Sequence, residues 1–400
     1  MTIKKTREEQ LVIQYLNKLG LKPYKNNRQF WDDLKRRHNQ DIVNQLSEKM
    51  KVNDTDLDSL SAFYELKNSS LSLSIDVSKI SADLYKKYFD WFTTQKGQAP
   101  KRILEVGCDN GIVACFLATL YPDSEVIGID HRLNTIERAK ELAEKLNLSN
   151  VSFIQMEIGE VATRFDKQSF DLIVSLSVFH ELLNLQTPRY WSIGELLEMD
   201  ETIDDTSSFI SLKTLLKNNP SSKWISCERL PFMGAISVWA KAITASGFHI
   251  LWDEMQYLHF QELGEQQKMP IFIASTQNNI DLLEKVYAFE SKDKVLQLFD
   301  GKTLKEPEAE IVFEQTEDKE FVKGVEIHFT NGSGNMRIEC WKTREKIFLY
   351  QFTNIGYREL KVFGNIEKAL SDFENLKEQW TPYGKTYHYE SIEEREQIET

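Results

Sequence analysis

The chain predicts an α/β protein built on a mostly parallel sheet, with a helical region before it and a small α+β region after it. Three observations carry this. Between residues 79 and 278, short apolar runs alternate with amphipathic helical stretches, the pattern of β-α-β units. Before residue 79, apolar residues recur only at helical spacing. After residue 279, strand-like runs separated by a glycine-bearing loop are followed by one long helical pattern. The expected organisation is an N-terminal helical cap over 1–78, a nucleotide-fold domain over 79–278 and an accessory domain over 279–400.

In the cap, Leu11, Ile13, Leu16 and Leu19 form the first helical stripe. Phe30, Trp31 and Leu34, then Ile42, Val43 and Leu46, and finally Leu57, Leu60, Phe63 and Tyr64 continue it. The short basic run Lys35-Arg36-Arg37-His38 suits either a solvated helix face or a phosphate contact. In the central region the expected strands are Arg102–Val106, Glu125–Ile129, Val151–Gln155, Asp171–Leu176, Lys223–Glu228, Phe248–Leu251 and Pro270–Ala274. Ile112–Leu120 is an apolar helix between the first two. A second helix carries the stripe Ile136, Ala139, Ala143 and Leu146, with Asn134 as its N-cap and Glu137 completing a capping box. The stretch from Gln186 to Asn219 is too long for a simple connection and suits a lid or binding loop. In the accessory region, Leu282–Leu298 is an expected helix. Val325–Phe329, Met336–Lys342 and Ile347–Thr353 are the expected strands, with Asn331-Gly332-Ser333-Gly334 as a hairpin loop and Ile366–Trp380 as a helix.

Bulk composition narrows the function. The 400 residues carry a formal charge of −13, which argues against unspecific binding to a polyanion while leaving room for a local basic patch. The four cysteines are scattered, with no CxxC pair and no neighbouring His at a metal-binding spacing, so a reducing, cytoplasmic compartment and no metal site are expected. The charged N-terminus has no apolar signal region, and no apolar run approaches the ~18 residues of a membrane span.

The chemistry concentrates at strand ends. Ile103-Leu104-Glu105-Val106-Gly107-Cys108-Asp109-Asn110-Gly111 is a strand ending in an acid, a tight two-glycine turn and a helix start. Such a turn lets the backbone approach a ligand, and the helix start offers free N–H groups to an anionic group. Asp130 ends the next strand, 19 positions after Gly111, where an acid accepts ribose hydroxyls. Glu157 follows the third strand in Gln155-Met156-Glu157-Ile158, placed to accept an adenine amino proton. Ser169-Phe170-Asp171-Leu172-Ile173-Val174-Ser175 supplies the fourth strand. Open α/β sheets bind ligands at these carboxyl ends. A nicotinamide dehydrogenase would want a third glycine in the following helix; Ile112-Val113-Ala114-Cys115-Phe116 has none.

In order and spacing, residues 100–278 resemble the class I S-adenosylmethionine-dependent methyltransferase family. The resemblance implies a Rossmann-like sheet of seven strands, the last antiparallel, with S-adenosyl-L-methionine as cofactor. It implies that Glu105, Gly107 and Gly111 lie near the methionine part. Asp130 matches the ribose acid, with Ile129 and His131 beside the adenine. Glu157 matches the adenine-contacting acid, Ile158 its apolar neighbour, and Ser175 a position touching the cofactor backbone. Asp109 stands where family members often carry a third glycine. Asp tolerates left-handed backbone better than most residues, so the departure bears on the fine geometry of the site.

For the acceptor side, His180 and Glu181 follow strand four. A histidine with an ordinary pKa near ~6.5 can take a proton from an acceptor, and Glu181 can orient it or bind a cation. The alternative is that His180 caps the strand and Glu181 begins a helix. Asn184 stands where an HExxH zinc motif needs its second histidine. Phe179, Tyr190, Trp191, Arg229, Phe232 and Met233 are further pocket candidates. Methyl transfer from a sulfonium depends mainly on in-line positioning and exclusion of water, so it proceeds without a base for some acceptors. The expected acceptor is a small molecule or a peptide. Two alternatives stay open: a regulatory protein that binds adenosylmethionine without turnover, and an RNA or DNA methyltransferase using Trp341, Lys342, Arg344, Lys346, Tyr350, Tyr357 and Arg358 of the accessory domain.

Overall fold

The computed structural model describes residues 7–50, 57–95, 98–179, 206–230, 233–276, 298–305, 308–330, 334–354 and 357–398, with 285, 289 and 332 as single positions. The chain divides into two compact units, one built mainly from residues before Ile280 and the other mainly from those after it.

In the first unit, helices α1 (Arg7–Leu19), α2 (Asn27–Arg37), α3 (Gln40–Lys49), α4 (Leu57–Lys67), α5 (Leu71–Ser78) and α6 (Ala82–Thr94) precede the sheet. They share its core rather than standing apart. Val12, Tyr15 and Leu16 of α1 and Tyr88, Phe89 and Phe92 of α6 pack with Ile103, Phe116 and Ile273. Phe89 stacks on Phe116 at 3.9 Å, and the Tyr15 hydroxyl donates to the Ile112 carbonyl at 2.6 Å. The basic run at the end of α2 is spent on local carboxylates. Arg36 and Arg37 pair with Asp33, while Arg37 (3.3 Å) and His38 (2.8 Å) reach Asp76. Lys79 grips the same buried Asp76 at 2.5 Å, so these cations order the helices among themselves.

The strands are β1 (Arg102–Val106), β2 (Glu125–Asp130), β3 (Val151–Gln155), β4 (Leu172–Leu176), β5 (Lys223–Cys227), β6 (His249–Ile250), β7 (Gln256–Glu262) and β8 (Glu265–Ser275). The order is β3-β2-β1-β4-β5-β8-β6. The first five run parallel, and β8 enters antiparallel to β5. The path through seven strands is that of the Rossmann-like sheet the sequence predicts. An eighth strand, β7, pairs with the outer half of β8. Leu263 (φ 51) and Gly264 (φ 90) form its two-residue turn, the left-handed pair that a tight hairpin requires. β1, β2 and β4 are buried on both faces, as central apolar parallel strands must be, whereas β3 at the sheet's end buries Phe153 and leaves Ser152 and Gln155 exposed. The crossovers include α7 (Ile112–Leu120) and α8 (Leu133–Leu146).

The expected capping box does not form. Helix α8 starts at Leu133 with Arg132 as N-cap and no side-chain cap. Asp130 accepts the Arg132 amide (3.1 Å), which closes the turn out of β2, and Asn134 instead donates to the Glu65 carbonyl at 3.2 Å.

The second unit holds a six-stranded antiparallel sheet, β14-β10-β11-β12-β13-β9. Its strands are β9 (Thr303–Lys305), β10 (Glu320–Phe329), β11 (Asn335–Lys342), β12 (Ile347–Thr353), β13 (Arg358–Phe363) and β14 (Gly384–Tyr389). The helix Ile366–Trp380 covers Val325, Ile338 and Leu349 on one face, while the helix Glu308–Gln315 packs with Phe348, Tyr350 and Leu360 on the other. Of the residues expected as a mixed aromatic and basic face, Trp341, Tyr350 and Arg358 are used internally, whereas Lys342 and Arg344 are exposed. Trp341 packs edge-on to Phe313 and donates to Glu339 at 2.9 Å, Tyr350 stacks on Phe313, and buried Arg358 donates to the Thr353 carbonyl at 2.6 Å. Asn331, Ser333 and most of Leu282–Leu298 lie outside the described residues.

Candidate cofactor and acceptor site

Strand β1 delivers Glu105 to the sheet's carboxyl edge almost fully buried, with Oε2 lacking a hydrogen-bond partner among the described residues. Burial pushes its carboxyl well above the usual range, against a backbone hydrogen bond from Ala114, and the nearby Asp109 and Asp130 add to the rise. The chain then turns sharply. Gly107 takes φ 67, and a Cβ there would sit 2.5 Å from Val178 Cγ2. Gly111 takes φ 80 as the N-cap of α7, and a Cβ there would meet Ala139 and Phe153 at 2.9 Å. Only glycine fits both positions.

Between them Asp109 is left-handed at φ 42. Its carboxylate is held by Lys67 and by Asn68 Nδ2 at 3.0 Å. Asn110 donates to Ser74 (2.8 Å) and Ser78 (2.9 Å). At the tip of β2, Asp130 is nearly buried, with Oδ2 accepting the Asp109 amide at 3.2 Å. Its pKa is raised by burial and by Asp109, against the Arg132 amide and His131.

The fourth and fifth strands correct one expectation and add a residue the sequence did not reveal. Ser175 lies inside β4, fully buried, with its hydroxyl donating to Ser226 (3.1 Å) and accepting from Trp224 (3.3 Å). The residues on the cavity wall are Leu176, Ser177 and Val178. The strand continues past Ser175 before the chain bends at Ser177 (φ 57), whose buried hydroxyl has no partner among the described residues. Glu228, just after β5 and fully buried, anchors this bend. Its Oε2 accepts the amides of Val178 (3.0 Å) and Phe179 (3.1 Å), and its Oε1 accepts the Ser226 hydroxyl at 2.9 Å. Only the long-range contact distinguishes Glu228 from an ordinary strand-end acid.

These elements enclose a cavity of about 730 Å³. Glu105, Gly107, Asp109, Asp130, His131, Glu157 and Ile158 all border it. Gly111 does not; it shapes the turn from beneath, its amide bonded to the Cys108 carbonyl at 2.8 Å. Glu157 is exposed at the rim, whereas Ile129 and Met156 give buried apolar wall. The opposite wall comes from the N-terminal helices, through Met50, Phe63, Tyr64, Leu84 and Tyr85. Arg229 borders the cavity in a two-pronged pair with Glu262 (2.9 and 2.7 Å), and Ser81 donates to the same carboxylate at 2.9 Å. Phe179 is no part of this wall. It is fully buried among Phe209, Trp224 and Trp239. His180, Glu181, Tyr190, Trp191 and Phe232 lie outside the described residues, as does the side chain of Met233. Among the described residues no group of His, Cys, Asp or Glu could hold a metal ion.

Comparison with known proteins decides the family. Residues 98–211 match the family described as a methyltransferase domain. This segment belongs to the class I methyltransferase family. The methyltransferases of this family use S-adenosylmethionine as cofactor. Among curated relatives, the methyltransferase domain is similar to the O-antigen chain terminator bifunctional methyltransferase/kinase WbdD of Escherichia coli, 27% identical over 138 residues. That match spans 34% of this chain and 18% of the relative. It is also similar to the ribosomal RNA small subunit methyltransferase G of a Thermotoga species, 27% identical over 120 residues, 30% of this chain and 52% of the relative. The chain thus spans about half or less of these relatives' length. A solved SAM-dependent methyltransferase from Aquifex aeolicus shares 16% identity, covering 52% of this chain and 97% of its own, with a TM-score of 0.36.

Proposed function

We propose that the protein transfers a methyl group from S-adenosylmethionine to a small-molecule or peptide acceptor held between the strand tips and the N-terminal helices. The observation that carries this is the buried Glu105 oxygen without a partner among the described residues, on the wall of a cavity it shares with the Gly107 turn and Asp130. A buried carboxylate oxygen without a donor is costly, and a ligand ammonium would relieve it. Glu105 would hold the cofactor's ammonium, and the Gly107–Asp109 backbone would face its carboxylate. Asp130 would accept from the ribose hydroxyls, and Glu157 from the adenine amino group. Ile129, Met156 and Ile158 would line the base and His131 would lie beside it.

When bound, the cofactor supplies an activated methyl on a sulfonium. The chain's task is then to align the acceptor and keep water out. The apolar wall of Phe63, Leu84 and Tyr85 suits a compact acceptor with apolar surface. His180 is the proposed proton acceptor, with Glu181 orienting it. A net charge of −13 and the internal use of Trp341, Tyr350 and Arg358 weigh against a nucleic-acid acceptor. No described helix is long and apolar enough to cross a membrane. Four unpaired cysteines support a cytoplasmic placement.

Calorimetry with S-adenosylhomocysteine tests the reading. Two ribose hydrogen bonds to a carboxylate at about 1.5–3 kcal/mol each imply that Asp130→Ala lowers affinity by about 10²-fold or more. Undiminished affinity in that variant, or no binding by the native protein, overturns the assignment. Labelled adenosylmethionine bound but never consumed over acceptor panels would favour the regulatory alternative.

A further inference from the structure

The cofactor turn is gripped by a segment well before it in the chain. Lys67 ends α4 with its side chain 9% exposed, and its ammonium pairs with the Asp109 carboxylate. Asn68 is fully buried and donates to the other Asp109 oxygen at 3.0 Å. Its own carbonyl oxygen accepts the Ser74 hydroxyl at 2.5 Å, and that hydroxyl oxygen accepts from Asn110 at 2.8 Å. Ser78 takes the second Asn110 contact at 2.9 Å. Two consecutive residues of the turn are thus held by four residues of the segment 67–78.

A non-glycine residue at φ 42 is strained and persists only where its surroundings over-determine it. Asp109 also stands beside two buried acids, Glu105 and Asp130. A cation nearby offsets the charge that gathers at this turn, and Lys67 is in contact with Asp109. The ammonium also lies 5.3 Å from the centre of the Tyr64 ring.

We propose that Lys67 is a positioning residue for the cofactor turn. It acts through the Asp109 carboxylate, and residues 67–78 are an integral clasp of the cofactor site. The proposal rests on the adenosylmethionine reading of the cavity. It assigns the N-terminal helices a second role besides forming the acceptor wall: release of the clasp frees the turn and weakens cofactor binding.

A double-mutant cycle tests it, with S-adenosylhomocysteine affinity as the first readout. Lys67→Met leaves the partly exposed Asp109 carboxylate without its cation, with Asn68 still donating to it, and should weaken binding about 10-fold or more, with Lys67→Arg recovering most of the loss. In an Asp109→Gly background, where glycine takes the left-handed conformation unaided, Lys67→Met should change affinity less than about 2-fold, whatever Asp109→Gly does alone. The second readout is hydrogen exchange of the 107–111 amides in ligand-free protein, which Lys67→Met should accelerate only when Asp109 is present. An equal affinity loss in both backgrounds would mean that Lys67 touches the ligand itself and overturns the proposal, as would an unchanged affinity for Lys67→Met. Should Lys67→Met fail to fold, Lys67→Gln, which also removes the charge, is compared across the two backgrounds by the same criteria. A native protein that does not bind S-adenosylhomocysteine defeats the functional reading, and hydrogen exchange then judges the clasp alone.

Discussion

Replacement of Glu228 by alanine should loosen the proposed cofactor site from a position that does not border the cavity. Glu228 is fully buried and its Oε2 is the acceptor for two consecutive backbone amides, Val178 at 3.0 Å and Phe179 at 3.1 Å. Removing the side chain leaves both donors without that acceptor. A buried donor left unsatisfied costs about 1–3 kcal/mol, so the pair implies about 2–6 kcal/mol. That is a large share of the typical 5–15 kcal/mol stability of a domain. With a urea dependence of about 1–3 kcal/mol per M, the midpoint of the first unit should fall by about 1 M or more. Glu228→Gln should lose much less, because the amide oxygen still accepts and the Ser226 hydroxyl can turn to accept from the amide nitrogen. The assay is hydrogen exchange at increasing urea, read on peptides from β4 and β5; peptides from β10 to β12 in the second unit should keep their midpoint. Because Val178 packs against Gly107, S-adenosylhomocysteine affinity should fall in the alanine variant as well. A β4 midpoint within about 0.3 M of the native protein would refute the reasoning.

Three further outcomes are expected. Ser175→Ala should cost about 1 kcal/mol of stability through its lost contacts to Ser226 and Trp224 while leaving S-adenosylhomocysteine affinity within about 2-fold; a large affinity loss would return Ser175 to the ligand. The Glu105 carboxyl has its pKa raised by burial in the folded, ligand-free state, so its folded-state stabilisation is present at low pH and lost as pH rises through that raised value. A bound ammonium favours the ionised form, so cofactor binding at a pH above the ordinary carboxyl range and below the raised value should release a proton, measured by calorimetry in buffers of different ionisation enthalpy and absent in Glu105→Gln. His180→Asn should flatten the acidic limb of the pH–rate profile for turnover while leaving S-adenosylhomocysteine affinity unchanged; a profile with the same limb would exclude His180 as the proton acceptor.

Local signals determined much of this protein by themselves. Apolar runs of strand length placed β1 to β5, and helical spacing placed α7 and Ile366–Trp380, because backbone preference and side-chain period act within a few residues. The acids Glu105 and Asp130 were legible at strand tips, and Gly107 and Gly111 as the turn between strand and helix. The strands Thr303–Lys305 and Arg358–Phe363 were not read: the former is three residues long and pairs with a strand over 50 residues away, and the latter carries Arg358, Glu359 and Lys361 in its first four positions. Ser175 and Ser177 were two residues apart, yet only where strand β4 ends decides which one meets the cavity. The partnerships that hold the site were beyond any local pattern. Lys67 and Asp109 are 42 residues apart, and Glu228 and Val178 are 50 apart. A buried charge must find its partner wherever the fold brings one, and packing alone decides which acid that is.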